Sequence, residues 1–163
     1  MRSPVRQGVR CAEASTPQDA EQLLTQAQAL VGASAPRQPL SGRKLAVLST
    51  ELGDDDAREF LLAAGAIGAH VSFVNASLDD ASSPGEIETT ARVLSLLYDA
   101  VECQHLPDTL VRRLAQSADV PVFAGLATAG HPTAALAGEM DLHVPHNARR
   151  RSILQAALLL SLK

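Results

Sequence analysis

The sequence predicts an α/β domain of three layers (α/β/α), in which helices cover both faces of a parallel sheet of four or five strands. Two observations carry this prediction. Short apolar runs alternate with stretches of helical spacing, and loops rich in Gly, Pro, Ser and Asp separate them. Because consecutive parallel strands are joined by crossover helices, such alternation favours βαβ units and a sheet that is buried on both sides.

Composition limits the classes of function. The 163 residues are 46% hydrophobic but only 2% aromatic, so the predicted core consists of Ala, Val and Leu. The formal net charge of -4 gives no broad basic surface, and we expect no nucleic-acid partner. Cys11 and Cys103 are too few for a disulfide framework, and Cys103 is predicted to be a buried thiol. We therefore expect a cytoplasmic protein, and no apolar stretch is long enough for a membrane span.

The chain is predicted to begin with an extension over residues 1–14, followed by a helix. Thr16 is suited to cap this helix, Pro17 to occupy its first position and Asp19 to lie in its first turn. Apolar residues then follow at helical spacing along one face. They are Leu23, Leu24, Ala27, Leu30 and Val31.

The alternation follows a loop at 32–39. Strands are predicted at 44–49, 69–74, 99–103 and 120–124, and helices at 56–67, 86–97 and 107–117, with a short helix at 131–138. One valine of each strand is expected to point into the layers between sheet and helices. These are Val47, Val71, Val101 and Val122. Ligands of parallel sheets bind beyond the carboxyl ends of the strands, so a site is expected at the loops 50–56, 75–85, 104–106 and 125–131.

The tail over residues 143–163 is predicted to hold a last helix at 148–162, capped by Asn147. Its apolar side is expected to include Ile153, Leu154 and Leu158. Arg149 to Arg151 occupy the first turn, where positive charge opposes the helix dipole. We interpret this run as a solvated face, although it also suits an anionic partner.

Residues 40–142 resemble ornithine carbamoyltransferase, of the aspartate/ornithine carbamoyltransferase family. The TARVL run at 90–94 and the HPT tripeptide at 131–133, in this order, are its specific motifs. Shorter matches are LSGRK at 40–44, the helix at 60–64, Gly68-Ala69, Tyr98-Asp99 and VPV at 120–122. The helix that begins at Thr16-Pro17 also resembles the family's first helix. The resemblance identifies residues 15–142 with the carbamoyl-phosphate-binding domain of that family.

The resemblance also implies a phosphate site whose residues are replaced in this chain. The family has a Ser-Thr-Arg-Thr-Arg loop after the first strand, and the corresponding residues here are Gly53, Asp54, Asp55, Asp56 and Ala57. An arginine after the third strand corresponds to Gln104. In the family's His-Pro-Thr-Gln motif, His131, Pro132 and Thr133 are kept, and Ala134 replaces Gln.

We expect these replacements to abolish phosphate binding, because carboxylates stand where the family has cationic side chains that bind the anion. Asp54 to Asp56 are predicted to accept the free N–H groups at the start of their helix. His131 and Thr133 are weak candidates for substrate binding. We interpret His131 as a vestigial residue that holds its loop through a backbone hydrogen bond, and we predict no catalytic residue.

Two groupings admit a metal but are weak. Asp54 to Asp56 with Glu51 offer oxygen ligands to a divalent cation, yet a solvated helix cap explains them better. His143 and His146 lack a third ligand, and Pro145 between them disrupts a helical register. We therefore predict neither a metal nor a cofactor.

The leading functional hypothesis is a pseudoenzyme, a catalytically inactive carbamoyltransferase homologue with a structural or regulatory role. The family has a second α/β domain, and nothing of that size follows Leu142, while 147–162 resembles the helix that returns to the first domain. The resemblance implies self-association, most simply a trimer formed beside the 75–85 loop, or a complex with a full-length carbamoyltransferase. One alternative is a module that binds an amino acid or amine at the strand ends. Another is an atypical ornithine or aspartate carbamoyltransferase of amino-acid metabolism.

Overall fold

The computed structural model describes residues 17–33, 37–51, 53–75 and 77–162. The predicted extension at 1–14, with Cys11, and the predicted cap Thr16 lie outside these residues. The elements are α1 Pro17–Val31, β1 Lys44–Ser49, α2 Asp55–Ala66, β2 His70–Asn75, α3 Pro84–Leu97, β3 Ala100–Gln104, α4 Asp108–Ser117, β4 Val122–Ala124, a 3₁₀ helix Pro132–Glu139 and α5 His146–Ser161. Within the described part of the chain, the helices are too short or too polar to cross a bilayer.

The sheet is parallel and has four strands in the order β2-β1-β3-β4, which confirms the predicted fold class. Val47, Val101 and Val122 are buried, as the apolar runs indicated. Val71 is only half-buried, because β2 lies at the edge of the sheet, where the side chains on both faces are more exposed than those of the inner strands. The register places Ser49 at the end of β1 beside Gln104 at the end of β3.

Helices cover both faces of this sheet, so the three predicted layers are present. On one face, α1, α2 and α5 enclose a cluster that includes Leu45, Val47, Phe60 and Leu158. On the other face, α3 and α4 enclose a second cluster that includes Leu48, Ile87, Val101 and Leu110. Cys103 belongs to the second cluster and is buried, as predicted.

Helix α5 packs on its own chain, against α1 and α2. Ile153, Leu154 and Leu158 are at most 1% exposed and share the first core cluster with β1. The helix begins at His146 with Pro145 at the cap position, so the predicted cap Asn147 was wrong. The Asn147 side chain instead accepts a bond from the N–H of Ala148 inside the first turn. The first turn closes through the N–H of Arg149, which donates to the carbonyl of Pro145 at 3.0 Å, so His146 and Asn147 are already helical.

The interpretation of Arg149 to Arg151 as a solvated face was also wrong. Arg149 is buried, and its guanidinium donates to the carbonyl groups of Ala137, at 2.7 Å, and Val144, at 3.0 Å. Arg150 and Arg151 are half-buried. Arg149 and Arg150 donate to carbonyl groups of the chain before α5, whereas Arg151 pairs with Glu59 of α2 at 3.8 Å. These tertiary roles are not visible in a run of like charges.

Candidate functional site

The loop from β1 to α2 leads to the acidic residues that stand where the resemblance implies phosphate-binding residues. Gly53 has a φ of 90°, a left-handed conformation that glycine adopts without strain, and it leads the chain into α2. Asp54 is the N-cap of α2, and its Oδ1 accepts the N–H of Ala57 at 2.7 Å. Asp55 and Asp56 follow in the first turn, so the predicted cap is confirmed for Asp54.

His105, which follows β3 directly, completes a cluster with these acids. Its Nε2 hydrogen-bonds to Oδ2 of Asp54 and lies 3.9 Å from Oδ2 of Asp56. One ligating atom from each of the three residues lies within 4.8 Å of the other two. His105 has a φ of 56°, which few residues other than glycine adopt. An imidazole nitrogen and two carboxylate oxygens at this spacing are able to bind one cation.

Sequence reasoning did not identify His105 as part of the site. It lay within the predicted strand-end loop 104–106, beside a position singled out for the loss of an arginine. The available signal was that the carboxyl ends of neighbouring parallel strands meet at one edge of the sheet. On this principle, a titratable residue just after β3 belongs near the acids just after β1.

Gln104, the last residue of β3, is fully buried where the resemblance implied an arginine. Among the described residues, neither its Oε1 nor its Nε2 has a hydrogen-bond partner. An amide buried without partners costs about 1–3 kcal/mol for each unsatisfied group. Such a group in a native fold calls for an explanation, and an ordered water or a bound ion is a common one.

Glu102 is a second buried polar residue of β3, and it was missed because it was assigned to an apolar run. Its carboxylate accepts the N–H groups of Leu126, at 2.9 Å, and Ala127, at 3.2 Å. Complete burial raises the pKa of Glu102 from 4.5 to about 8, although these backbone N–H groups act to lower it. The signal in the sequence was an acid inside a central parallel strand, where charge is rare unless it is held.

Arg150 reaches the same turn from α5. Its Nη2 donates to the carbonyl oxygens of Ala127, at 3.0 Å, and Thr128, at 3.3 Å. Glu102 thus binds N–H groups of this turn, and Arg150 binds its carbonyl groups. Burial lowers the pKa of the Arg150 guanidinium, and the carboxylates of Asp56 and Glu59 oppose this effect. The terminal helix therefore contributes a charged residue to the electrostatics of this edge.

His131 and Thr133 form a separate, buried arrangement at the start of the 3₁₀ helix. His131 is its N-cap, and Nδ1 of His131 accepts the N–H of Thr133 at 3.2 Å. The same Nδ1 lies 2.8 Å from Oγ1 of Thr133. Ala134, which stands where the family motif has Gln, donates its N–H to the carbonyl of His131 at 2.9 Å. This geometry is that of a helix cap.

The loop from β2 to α3 borders an open groove of about 570 Å³. It is lined by Ser77, Leu78, Ser83, Gly85, Glu86, Thr89 and Thr90. Ser83 and Glu86 form a reciprocal capping box that fixes the start of α3. The groove lies outside the cluster of Asp54, Asp56 and His105.

Comparison with known proteins supplies the context for these residues. Residues 10–143 match the family model described as the aspartate/ornithine carbamoyltransferase carbamoyl-phosphate-binding domain. The ornithine carbamoyltransferase of Actinobacillus pleuropneumoniae serotype 5b is 34% identical over 110 residues. That match covers 68% of this chain and 33% of the relative, so the chain spans about a third of the length of such relatives.

Solved structures agree with this match. The ornithine carbamoyltransferase of Pyrococcus furiosus superposes with a TM-score of 0.67 at 27% identity, over 85% of this chain and 45% of that chain. The aspartate transcarbamoylase of Trypanosoma cruzi, solved with N-(phosphonacetyl)-L-aspartic acid, superposes with a TM-score of 0.61 at 21% identity. It covers 81% of this chain and 43% of that chain, and at this identity the likeness concerns the fold alone.

Proposed function

The chain belongs to the aspartate/ornithine carbamoyltransferase family, and we propose that it is a member without catalysis, which acts as a structural or regulatory subunit. One observation carries the proposal. At the N-terminus of α2, where the resemblance implies a phosphate cradle, the Asp54 carboxylate already accepts a helix N–H, and Asp55 and Asp56 follow it. The site thus presents negative charge to any phosphate.

The magnitude of the effect supports the proposal. The two implied arginine positions of the cradle are Asp55 and Ala57, and a third is Gln104. Each charge-assisted hydrogen bond contributes about 1.5–3 kcal/mol, so the loss of only two corresponds to about 3–6 kcal/mol. This is a factor of roughly 10² to 10⁴ in affinity, before the repulsion by the aspartates is included.

An assay of carbamoyl transfer tests the proposal. Carbamoyl phosphate is supplied with ornithine or with aspartate, and the ornithine carbamoyltransferase of A. pleuropneumoniae serves as the positive control. We expect no turnover above the protein-free blank. Turnover that is lost in the His131→Ala variant would overturn the proposal. Turnover that the variant leaves unchanged but that separates from the protein on further purification belongs to a contaminating enzyme, whereas turnover that stays with the protein would also overturn the proposal.

The proposed role depends on assembly, and the outer face of α3 is suited to a contact. Val93, Leu96 and Leu97 lie on one side of this helix at spacings of three and four residues, and they are 47%, 81% and 58% exposed. This side of α3 begins one turn after the residues that line the groove at the 75–85 loop. We place the contact with other copies of the chain, or with a full-length carbamoyltransferase, on this side. Since α5 already covers the core of its own chain, folding does not require the partner.

Light scattering tests the contact across a range of protein concentrations. We expect a mass near three chains for the wild type and a lower mass for Leu96→Glu, because a buried charge opposes association. Leu62→Glu is the matched control, since Leu62 is 45% exposed on α2 and lies outside the proposed face. A monomer at every concentration would contradict self-association.

A second candidate function is the binding of an amine or a basic amino acid. The paired carboxylates of Asp54 and Asp56 favour it, because they present negative charge at the carboxyl ends of the strands. Thermal unfolding in the presence of ornithine or of simple diamines tests this candidate. A rise in melting temperature that Asp56→Asn abolishes would support it, whereas an unchanged melting temperature would exclude these ligands.

A further inference from the structure

We propose that Asp54, Asp56 and His105 form a binding site for a divalent transition-metal ion of the zinc class. The three residues come from two loops that lie far apart in the sequence and meet at the carboxyl edge of the sheet. Nε2 of His105 faces Oδ2 of Asp54 and Oδ2 of Asp56, with all three atoms within 4.8 Å. This inference goes beyond the proposed function and does not depend on the loss of catalysis.

The donor set determines the class of ion. One imidazole nitrogen and two carboxylate oxygens give three protein ligands, and water completes a tetrahedral site, as in zinc centres with an open position. Mg²⁺ and Ca²⁺ prefer oxygen ligands alone, whereas imidazole suits zinc and its neighbours. Asp54 is able to cap α2 and to bind the ion at the same time, because its Oδ1 accepts the helix N–H while its Oδ2 faces His105.

Gln104 is the independent observation that points to a ligand. Its side chain is fully buried, and both of its polar atoms lack partners within the part of the chain that the structure describes. Alternation along β3 directs Gln104 to the same face as Glu102, the face on which α2 packs. Since β1 ends beside Gln104 and the first turn of α2 follows β1, Gln104 belongs to the sheet edge that carries the cluster and directly precedes His105. A buried amide without partners at this place calls for a bound group at the cluster to account for it.

The surrounding charges limit the affinity. The Arg150 guanidinium interacts electrostatically with Asp56 and so competes with a bound cation. Asp54 has no arginine partner among its hydrogen bonds and ion pairs in the described chain. Partial exposure of His105 and Asp56 gives an ion access from solvent. We therefore expect reversible binding rather than a permanently held structural ion.

Calorimetric titration with Zn²⁺ tests the site, using full-length protein freed of metal by a chelator. All proteins carry Cys11→Ser, so that this thiol outside the described residues is not a ligand. We expect one ion per chain with a dissociation constant below about 0.1 mM. Mg²⁺ should bind at least tenfold more weakly.

Two variants and a matched control locate the ion. His105→Ala and Asp56→Asn should each weaken Zn²⁺ binding at least tenfold. His143→Ala is the control, because His143 forms another exposed pair, with Asp141 at 2.8 Å, and belongs to no third-ligand cluster in the described chain. No saturable binding below 1 mM, or equal weakening by His105→Ala and His143→Ala, would overturn the proposal. The separate titration with carbamoyl phosphate is done in the presence of a chelator, so that bound metal does not affect it and the two proposals are tested independently.

Discussion

At the scale of single residues, the polar side chains of β3 account for most of what the sequence did not reveal. Cys103 could be predicted as a buried thiol, because it follows an apolar run. Glu102 and Gln104 could not be assigned, since their roles depend on partners from the 125–128 turn or on the lack of any partner. A sequence gives the position of a polar residue in a strand, but not the groups that surround it.

Glu102→Gln tests the buried acid through the pH dependence of stability. The folded-state pKa of about 8 lies above the usual 4.5, so the protonated form favours folding. The contribution of Glu102 to stability is fully present below pH 4.5 and is lost as the pH rises through 8. We expect wild-type stability to fall across this window, by at most about 1.4 kcal/mol per pH unit, and the variant to show a flatter profile.

Urea unfolding between pH 5 and 9 provides this measurement. Glu88→Gln is the control, because Glu88 is exposed and pairs with Arg92 at 2.8 Å within one helix. The control should keep the wild-type profile. Parallel profiles for Glu102→Gln and wild type would show that Glu102 does not titrate in this range.

Gln104→Leu tests the unpartnered amide. An apolar side chain of similar size removes a buried group that lacks hydrogen bonds, so the metal-free variant should be more stable by about 1–3 kcal/mol. Gln155→Leu is the matched control, since Gln155 Nε2 donates to the carbonyl of Ala63 at 3.0 Å, and its loss should destabilise. Equal destabilisation in both variants, measured by urea unfolding, would show that Gln104 is satisfied in solution.

At the scale of elements, helices and strands were predictable where local signals agree. The β1 bounds match the prediction, because an apolar run ends at a polar loop. The 3₁₀ helix follows from Pro132 at its first position. The start of α5 differed, since Asn147 lies inside the first turn. Arg149 and Arg150 bind carbonyl groups that only the tertiary fold brings near.

Helix α5 should contribute strongly to stability, since its inner face lies in the main core. Leu158 is fully buried in the same cluster as Phe60, so Leu158→Ala should cost about 2–5 kcal/mol in the free energy of unfolding. Leu142→Ala is the comparison, because Leu142 is 75% exposed, lies outside the proposed contact face and should change stability by less than about 0.5 kcal/mol. Equal effects in thermal or urea unfolding would contradict the packing of α5 on its own chain.

At the scale of the whole molecule, the parallel sheet and its family were predictable from alternation and from two motifs. The replacement of the family's phosphate-loop residues is also read from the sequence, at positions 53–57 and 104, and the loss of phosphate binding that it implies stays a prediction. The meeting of His105 with Asp54 and Asp56 was not, since it depends on how two loops are shaped at the sheet edge. Two carboxylates and an imidazole thus meet at the edge where the resemblance implies an anion site.

The central claim is that this edge of the sheet no longer binds phosphate, and calorimetric titration with carbamoyl phosphate tests it most directly. The measurement uses chelator-treated wild-type protein, with the ornithine carbamoyltransferase of A. pleuropneumoniae titrated alongside. We predict no saturable binding at millimolar ligand. The Asp54 carboxylate accepts an N–H group at the start of α2, and Gln104 stands where the family has an arginine. A dissociation constant tighter than about 1 mM, equivalent to about -4 kcal/mol, would contradict the account.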